Sequence, residues 1–183
     1  MDIGSEIKQW MRADLMRYSA LEEAASLGLQ DWCLAAGFVR NLVWDKLHGY
    51  PRATPLSDID LIYFDPSNLS ADRDAWLEAQ LKPLAGTVWS VKNQARMHLR
   101  NNDRPYNSTA QAMQYWVEIE TAVGARLTAN KDIELVAPFG LDALNSLSVT
   151  LNPMRPKPTE FRARVQEKKW LEIWPKLRVI GLG

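Results

Sequence analysis

Two aspartates separated by a single residue are the clearest candidates for chemistry in this chain of 183 residues. Asp58 and Asp60 flank Ile59 immediately before the apolar run Leu61–Phe64, whose β-branched and aromatic residues predict a strand. Side chains alternate between the faces of a strand, so both carboxylates project the same way, about 7 Å apart. Two buried carboxylates repel each other, and a hard cation such as Mg²⁺ or Mn²⁺ removes that penalty. The alternative is a solvated or ion-paired surface pair, because such triplets are common by chance.

A glycine upstream of the aspartates supplies a candidate phosphate site. Gly37 ends the apolar run DWCLAA, which predicts a strand, and a helical pattern starts at Phe38. A glycine at a strand-to-helix turn lets backbone N–H groups, including that of Phe38, approach a phosphate closely. Arg40 and Asn41 follow in the first helical turn, where Arg40 would add charge-assisted contacts. The alternatives are an ordinary turn glycine and a surface or ion-paired arginine.

A third group of polar donors follows a second predicted strand. We expect Lys92 and Arg96 to bind phosphates, and Asn93 and His98 to contact a base, a ribose or the acceptor. The alternative for these residues is a hydrogen-bonded loop that closes the sheet.

The elements that position these residues alternate between helix and strand. Periodicity and capping residues predict helices over 1–27, 39–47, 70–83, 108–116 and 159–174, and strands over 31–36, 61–64, 87–94, 125–127 and 133–136. This alternation indicates an α/β or α+β fold with helices packed on a mixed sheet. We expect a single domain over 1–183, with an N-terminal helix in 1–27 and a C-terminal extension with a helix in 152–183.

Composition narrows the partners and the compartment. Lys plus Arg and Asp plus Glu are equal at 22 each, so a long DNA duplex is not expected as a partner, although a locally basic pocket is compatible with zero net charge. The single cysteine, Cys33, lies in an apolar run and indicates a buried thiol in a reducing compartment. No signal peptide and no membrane span is expected, which favours a cytoplasmic protein.

The order of these motifs resembles a known signature. Gly37 followed by Asp58-Ile59-Asp60 is similar to the hG[GS]…Dh[DE]h pattern of the DNA polymerase β-type nucleotidyltransferase superfamily. The segments LAAGFVRNLVWDKLHG, DIDLIYFD, VKNQARMHLRN and APFGLDAL resemble a bacterial nucleotidyltransferase family whose substrates are generally unassigned. The resemblance implies a polymerase β-like fold, with the glycine turn and both aspartates at one catalytic edge. It also implies metal-dependent transfer of a nucleotidyl group from a nucleoside triphosphate to an acceptor hydroxyl.

Two positions depart from the superfamily pattern. Phe38 stands where a Gly or Ser usually follows the glycine, which removes a hydroxyl contact but keeps the backbone contacts. The superfamily usually places a third carboxylate on the next strand, where this chain has Ser90. Glu118 is predicted to replace it as a catalytic carboxylate, and Glu120 is the second candidate; a solvated or ion-paired carboxylate is the alternative for both.

Three functions remain open from the sequence. The first is a nucleotidyltransferase whose acceptor is a small molecule, a protein or an RNA end. The second is a catalytically inactive nucleotide-binding or protein-interaction module with the same fold. The third is a toxin-like enzyme that modifies tRNA, against which the balanced charge argues.

Overall fold

The structure is a computed structural model that describes residues 2–84 and 86–182. Its helices are α1 (Ile3–Ala13), α2 (Leu15–Ala25), α3 (Gly37–His48), α4 (Ala71–Gln80), α5 (Gln94–Asn101), α6 (Thr109–Met113), α7 (Asp142–Asn145), α8 (Pro158–Glu167) and α9 (Trp170–Ile173). Its strands are β1 (Trp32–Ala35), β2 (Asp58–Tyr63), β3 (Val88–Asn93), β4 (Gly124–Leu127), β5 (Ile133–Val136), β6 (Ser148–Thr150) and β7 (Arg178–Ile180). In this described part, no helix is long and apolar enough to cross a membrane.

Five strands form one mixed sheet in the order β3-β2-β1-β4-β5. β2 and β3 run parallel, whereas the other three neighbouring pairs are antiparallel. The register places Asp60 beside Ala35 of β1 on one side and Ser90 of β3 on the other. The predicted α/β fold, with helices packed on a mixed sheet, is confirmed.

The main hydrophobic core lies between this sheet and helices α1 to α4. Leu34, Ile59 and Leu61 are fully buried there, packed with apolar residues from all four helices. Because side chains alternate along β2, Asp58 and Asp60 take the opposite face and are only half-buried. The strand begins at Asp58, so both aspartates lie within a regular strand anchored by the core.

The N-terminal helix predicted over 1–27 is two helices that meet at Asp14. The backbone of Asp14 is extended, with φ −90° and ψ 101°, and its carboxylate accepts a hydrogen bond of 3.0 Å from the N–H of Arg17. Asp14 therefore ends α1 and caps α2. The apolar periodicity continues across this break, which explains why the pattern alone predicts one helix.

The C-terminal helix predicted from about Thr159 to Trp174 is also divided. Lys169 has a left-handed φ of 52° and separates α8 from α9. Trp170 and Trp174 are buried in a second hydrophobic cluster, where they contact Trp44 of α3. A small parallel sheet of β6 and β7, which the sequence pattern does not predict, lies beside this segment. Together these contacts fix the C-terminal segment against α3, close to the aspartates of β2.

Candidate functional site

The turn between β1 and α3 has an unusual backbone. Ala36 has φ 57° and ψ −123°, a conformation that L-residues rarely adopt, and it immediately precedes Gly37, the first residue of α3. The turn is held by a hydrogen bond of 2.8 Å from the N–H of Ala36 to the carbonyl of Val123 and by one of 2.9 Å from the N–H of Arg40 to the carbonyl of Ala36. Such outliers persist where the surrounding structure holds them and are frequent at functional sites.

The two aspartates lie on one face of β2, with the buried Ile59 between them on the other face. Asp58 accepts a hydrogen bond of 2.9 Å from the hydroxyl of Ser57. Among the residues that the structure describes, neither aspartate forms an ion pair. Within the described residues, Asp58 and Asp60 are therefore not a pair of ion-paired surface carboxylates.

The electrostatics of this pair fit a divalent cation. Burial and the neighbouring charge of Asp58 raise the pKa of Asp60 to about 6, although Ser90, Arg40 and Lys168 act in the opposite direction. In the described ranges, no three His, Cys, Asp or Glu side chains are grouped so that they could hold a metal ion. Two carboxylates are sufficient for Mg²⁺, which commonly completes its coordination with water and substrate phosphates.

The aspartates and the glycine turn open into one cavity of about 570 Å³. Five predicted site residues line it together: Gly37, Arg40, Asn41, Asp58 and Asp60. The loop before β2 and the C-terminal segment form the rest of the wall. The volume lies within the range of about 300–1,000 Å³ that is typical of small-ligand sites.

Arg40 is held in this cavity between two indole rings. Its guanidinium carbon lies 4.9 Å from the ring centre of Trp44 and 4.6 Å from that of Trp170. Nη1 donates a hydrogen bond of 2.6 Å to the hydroxyl of Thr121, and Nη2 donates one of 3.1 Å to Oδ1 of Asn41. The orientation of the guanidinium is therefore fixed before any ligand binds.

No carboxylate among the described residues forms an ion pair with Arg40. The side chain of Arg40 is only 6% exposed, and within the described part of the chain its Nε has no hydrogen-bond partner. Burial lowers its pKa to about 10, although nearby carboxylates act to raise it. Buried charges in proteins are normally paired, so this guanidinium indicates a site for an anion.

Glu118, the predicted third catalytic carboxylate, forms an ion pair with Arg164. It is 1% exposed, and its two oxygens accept hydrogen bonds of 2.6 Å and 3.2 Å from Nε and Nη2 of Arg164. Glu120, the second candidate, accepts hydrogen bonds from Ser148 and Thr150 and thereby fastens β6. Both glutamates therefore have hydrogen-bond partners within the protein. Among the described residues, neither belongs to a group of three side chains that could hold a metal ion.

Neither Phe38 nor Lys92 lines the cavity that contains both aspartates. The side chain of Phe38 is 1% exposed in the main core, and its carbonyl accepts a hydrogen bond of 2.9 Å from Nε of Arg17. The predicted phosphate contact of Phe38 is therefore limited to its backbone. Lys92 lines a second cavity, separate from the one that contains Arg40.

Asn93 is fully buried and serves the loop that follows β2. Its amide group donates to the carbonyls of Asp65 and Asn68 at 2.8 Å and 2.9 Å and accepts from the N–H of Asp65 at 3.0 Å. It also caps α5 by accepting from the N–H of Ala95 at 3.0 Å. The segment, for which a hydrogen-bonded loop was the alternative, is the start of a helix, and Asn93 lines neither cavity.

Arg96 and His98 are also occupied away from the two cavities. Arg96 forms an ion pair with the buried Asp74, which in turn accepts a hydrogen bond of 2.7 Å from the hydroxyl of Tyr63. His98 packs edge-on against Tyr106, with 6.0 Å between ring centres. Asn93, Arg96 and His98 line neither cavity, and their contacts are those of the hydrogen-bonded structural alternative.

Asn93→Ala tests whether Asn93 contacts a ligand or only stabilises the fold. We expect the free energy of unfolding to fall by about 2–3 kcal/mol, because the substitution leaves buried backbone groups of the loop without partners. Nucleoside triphosphate affinity, measured by calorimetry, should stay within about twofold, since the residue is outside the cavity. Asn145→Ala, at an exposed helix end, is the matched control and should change neither quantity. Loss of affinity without loss of stability would restore the predicted ligand contact.

Several cavity residues were not singled out from the sequence. Arg164, Lys168 and Trp170 come from the C-terminal segment, and Thr121 precedes β4. The spacing of Arg164 and Lys168 does place both on one helical face. Nothing local, however, indicates that this face turns toward β2, more than 90 residues earlier in the chain.

Comparisons with known proteins identify the family and the fold of the chain. The sequence profile of a family described as nucleotidyltransferase matches residues 22–179. The chain is also similar to a solved structure described as revealing a CCA-adding enzyme head domain, with 33% identity, a TM-score of 0.81, and coverage of 96% of this chain and 94% of that one. A comparison with curated proteins gives no match.

Two larger structures share the fold at low identity. One is a tRNA-processing enzyme complex, with 14% identity, a TM-score of 0.53, and coverage of 88% of this chain and 43% of that one. The other is a CCA-adding enzyme in complex with CTP, with 14% identity, a TM-score of 0.53, and coverage of 94% and 48%. The family match over most of the chain is what decides the assignment: the chain belongs to a nucleotidyltransferase family.

Proposed function

We propose that the protein transfers a nucleotidyl group from a nucleoside triphosphate to an acceptor hydroxyl, with Mg²⁺ or Mn²⁺ at Asp58 and Asp60. The observation that carries the proposal is a pair of unmatched charges in one cavity. Two carboxylates and the buried guanidinium of Arg40 line the same space, and none of the three forms an ion pair among the described residues. A metal-bound triphosphate complements both at once.

The triphosphate fits the side of the cavity that carries the glycine turn. The N-terminus of α3 begins at Gly37, and backbone N–H groups at a helix N-terminus favour anions. Arg40 holds its guanidinium in a fixed orientation, so it binds a phosphate oxygen without further ordering of the side chain. Lys168 adds a second cation from α8's C-terminal end.

Each protein group then has a defined part in the transfer. Asp58 and Asp60 would hold the metal at the face of β2 that lines the cavity. Arg40 and Lys168 neutralise charge on the phosphate chain as pyrophosphate leaves. When bound, the metal supplies charge neutralisation and lowers the pKa of the attacking hydroxyl. The protein contributes position and electrostatics, which provide most of the rate in reactions of this type.

A second candidate is a module that binds nucleotide without turnover. It is favoured by Ser90, which lies directly beside Asp60 on β3 where the superfamily usually has a third carboxylate. Both candidates predict binding of a metal-bound triphosphate, and only the first predicts a covalent product.

A thermal-shift measurement tests the binding step. With saturating ATP, CTP, GTP or UTP and Mg²⁺ or Mn²⁺, we expect at least one combination to raise the melting temperature by about 5 °C. The double variant Asp58→Ala, Asp60→Ala should lose the shift, whereas Asp72→Ala, which removes an exposed carboxylate of α4, should retain it. No shift with any combination would contradict the proposal.

The same protein then separates transfer from binding. Cell extract incubated with the protein and an α-labelled triphosphate is analysed by mass spectrometry for a nucleotidyl adduct. An adduct that forms with wild type and not with the double aspartate variant supports transfer. Binding with no adduct supports the inactive module.

A further inference from the structure

A second cavity of about 340 Å³ lies against the same strand. β2 connects the two cavities: Asp58 lines the first only, Asp60 lines both, and Ile62 lines the second only. All three side chains are two residues apart, so they follow one face of the strand. The two cavities are therefore neighbours that share Asp60, together with Ala36, Thr121 and Arg164, as lining residues.

The second cavity is lined by cations without strong partners. Lys92 and Arg100 form no ion pair among the described residues, and Lys157 has only a long contact of 3.9 Å with the exposed Glu160. Glu118 also lines the cavity, but its charge is matched by Arg164. Four cations (Lys92, Arg100, Lys157 and Arg164) and three carboxylates (Asp60, Glu118 and Glu160) line the space. Because Glu118 is paired with Arg164 and Glu160 lies near Lys157, Lys92 and Arg100 are the cations that form no ion pair among the described residues, and they favour an anionic ligand.

Aromatic side chains line the same space. Tyr115 and Trp116 are both half-buried there, so their rings are neither fully used in the core nor free on the surface. Cations combined with aromatic rings are the surface on which nucleotide units bind, by phosphate contact and by stacking of the base. A volume of about 340 Å³ suits one such unit and not a long strand.

Arg164 lies on the border between the two spaces. It lines both cavities, and the two hydrogen bonds that it donates to Glu118 fix its guanidinium. The guanidinium is therefore held in one orientation at the junction where a donor in one cavity and an acceptor in the other would meet.

We infer that the second cavity binds the acceptor, and that the acceptor is a phosphate-bearing nucleotide unit with a free hydroxyl, which reaches Asp60 from the side opposite the triphosphate. This inference rests on the proposed function. The hydroxyl oxygen bonds to the α-phosphorus, the bond from that phosphorus to the β-phosphate oxygen breaks, pyrophosphate leaves, and the hydroxyl proton passes to water. The unit is either a free nucleotide or the end of a nucleic acid chain, since both present the same chemistry.

Calorimetry with two kinds of probe tests the inference. AMP, GMP, CMP and UMP, and a 12-nucleotide single-stranded RNA with a free 3′ hydroxyl, are titrated into the protein with and without Mg²⁺ and a non-hydrolysable triphosphate analogue. We expect at least one probe to bind while the analogue stays bound. The double variant Lys92→Gln, Arg100→Gln should weaken that probe tenfold or more and leave analogue binding unchanged.

Lys168→Gln, in the first cavity only, is the reciprocal control and should weaken the analogue but not the probe. Binding of a monophosphate assigns a free nucleotide, and binding of the RNA alone assigns a nucleic acid end. The inference is overturned if no probe binds, if the probe displaces the analogue, or if the Lys92 and Arg100 variant binds the probe as wild type does. Titrations without the analogue keep this result separate from a failure of triphosphate binding.

Discussion

Asp60→Asn is expected to lower nucleotidyl transfer by about 10³-fold or more and, at the same time, to raise the melting temperature of the metal-free protein. The loss of activity follows because the variant cannot hold the metal, whose charge stabilisation is worth several kcal/mol. The gain in stability follows because the substitution removes a half-buried negative charge beside Asp58. At pH 7.5, we expect a gain on the order of 2 kcal/mol, or about 5 °C.

The gain in stability of Asp60→Asn should depend on pH. The pKa of Asp60 rises from 3.8 to about 6 in the folded protein. The native state therefore holds the proton more strongly than the unfolded state, and stability falls as pH rises between these values. The melting temperature of Asp60→Asn should equal that of wild type at pH 3.5 and exceed it at pH 7.5. Asp72→Asn, at an exposed position in the first turn of α4, is the control and should change stability at pH 7.5 in the opposite direction, by a loss of about 0.3–1 kcal/mol.

Adding Mn²⁺ should make wild type more stable than Asp60→Asn at pH 7.5. Wild type gains stability by binding the cation, and Asp60→Asn gains little, since it has lost one of two ligands. Equal stabilisation of both proteins by Mn²⁺ would contradict the assignment of Asp60 as a ligand. So would a variant that is less stable than wild type at pH 7.5 without metal.

The parts of the fold that the sequence predicts are those with local causes. The five strands of the main sheet and the helix caps at Ser70 and Ser108 follow from periodicity and from side chains that accept backbone hydrogen bonds within three residues. The break at Asp14 has the same kind of cause, but a continuous apolar stripe conceals it. Local rules therefore predicted the elements better than their interruptions.

The parts of the site that escaped prediction depend on contacts between distant segments. Arg164 reaches the cavity from a helix that the second hydrophobic cluster attaches to α3. Asn93 has the composition of a ligand-binding residue, yet its bonds to the loop around Asp65 bury it completely. Even the turn before α3 places its positive φ at Ala36 and not at the glycine. Polar residue types near a motif cannot indicate which partner they will take.

Glu118 provides the second large expected effect, because its partner decides what it does. Glu118→Ala should lower the free energy of unfolding by about 3 kcal/mol, since the guanidinium of Arg164 would lose the carboxylate that compensates it. We infer that Glu118 positions Arg164 at the border of the two cavities and does not bind the metal. A positioning residue and a ligand differ in one measurable quantity, the affinity for Mn²⁺.

Glu118→Gln makes that measurement, because glutamine keeps the shape and loses the charge. We expect Mn²⁺ affinity, measured by calorimetry with bound triphosphate analogue, to stay within about threefold, while transfer falls by about 10–100-fold. Asp60→Asn, in contrast, should lose both. A loss of Mn²⁺ affinity in Glu118→Gln equal to that in Asp60→Asn would make Glu118 the third carboxylate that the sequence predicted.

Replacing both partners separates stability from function. The double variant Glu118→Met, Arg164→Met should recover most of the stability that Glu118→Ala loses, since apolar residues of similar size often replace a buried ion pair without penalty. It should not recover transfer, because the cation at the border of the cavities is absent. If transfer returns together with the melting temperature, the pair serves only the fold, and Arg164 has no part in the reaction. If stability alone returns, the role of the pair is to hold the positive charge of Arg164 near Asp60.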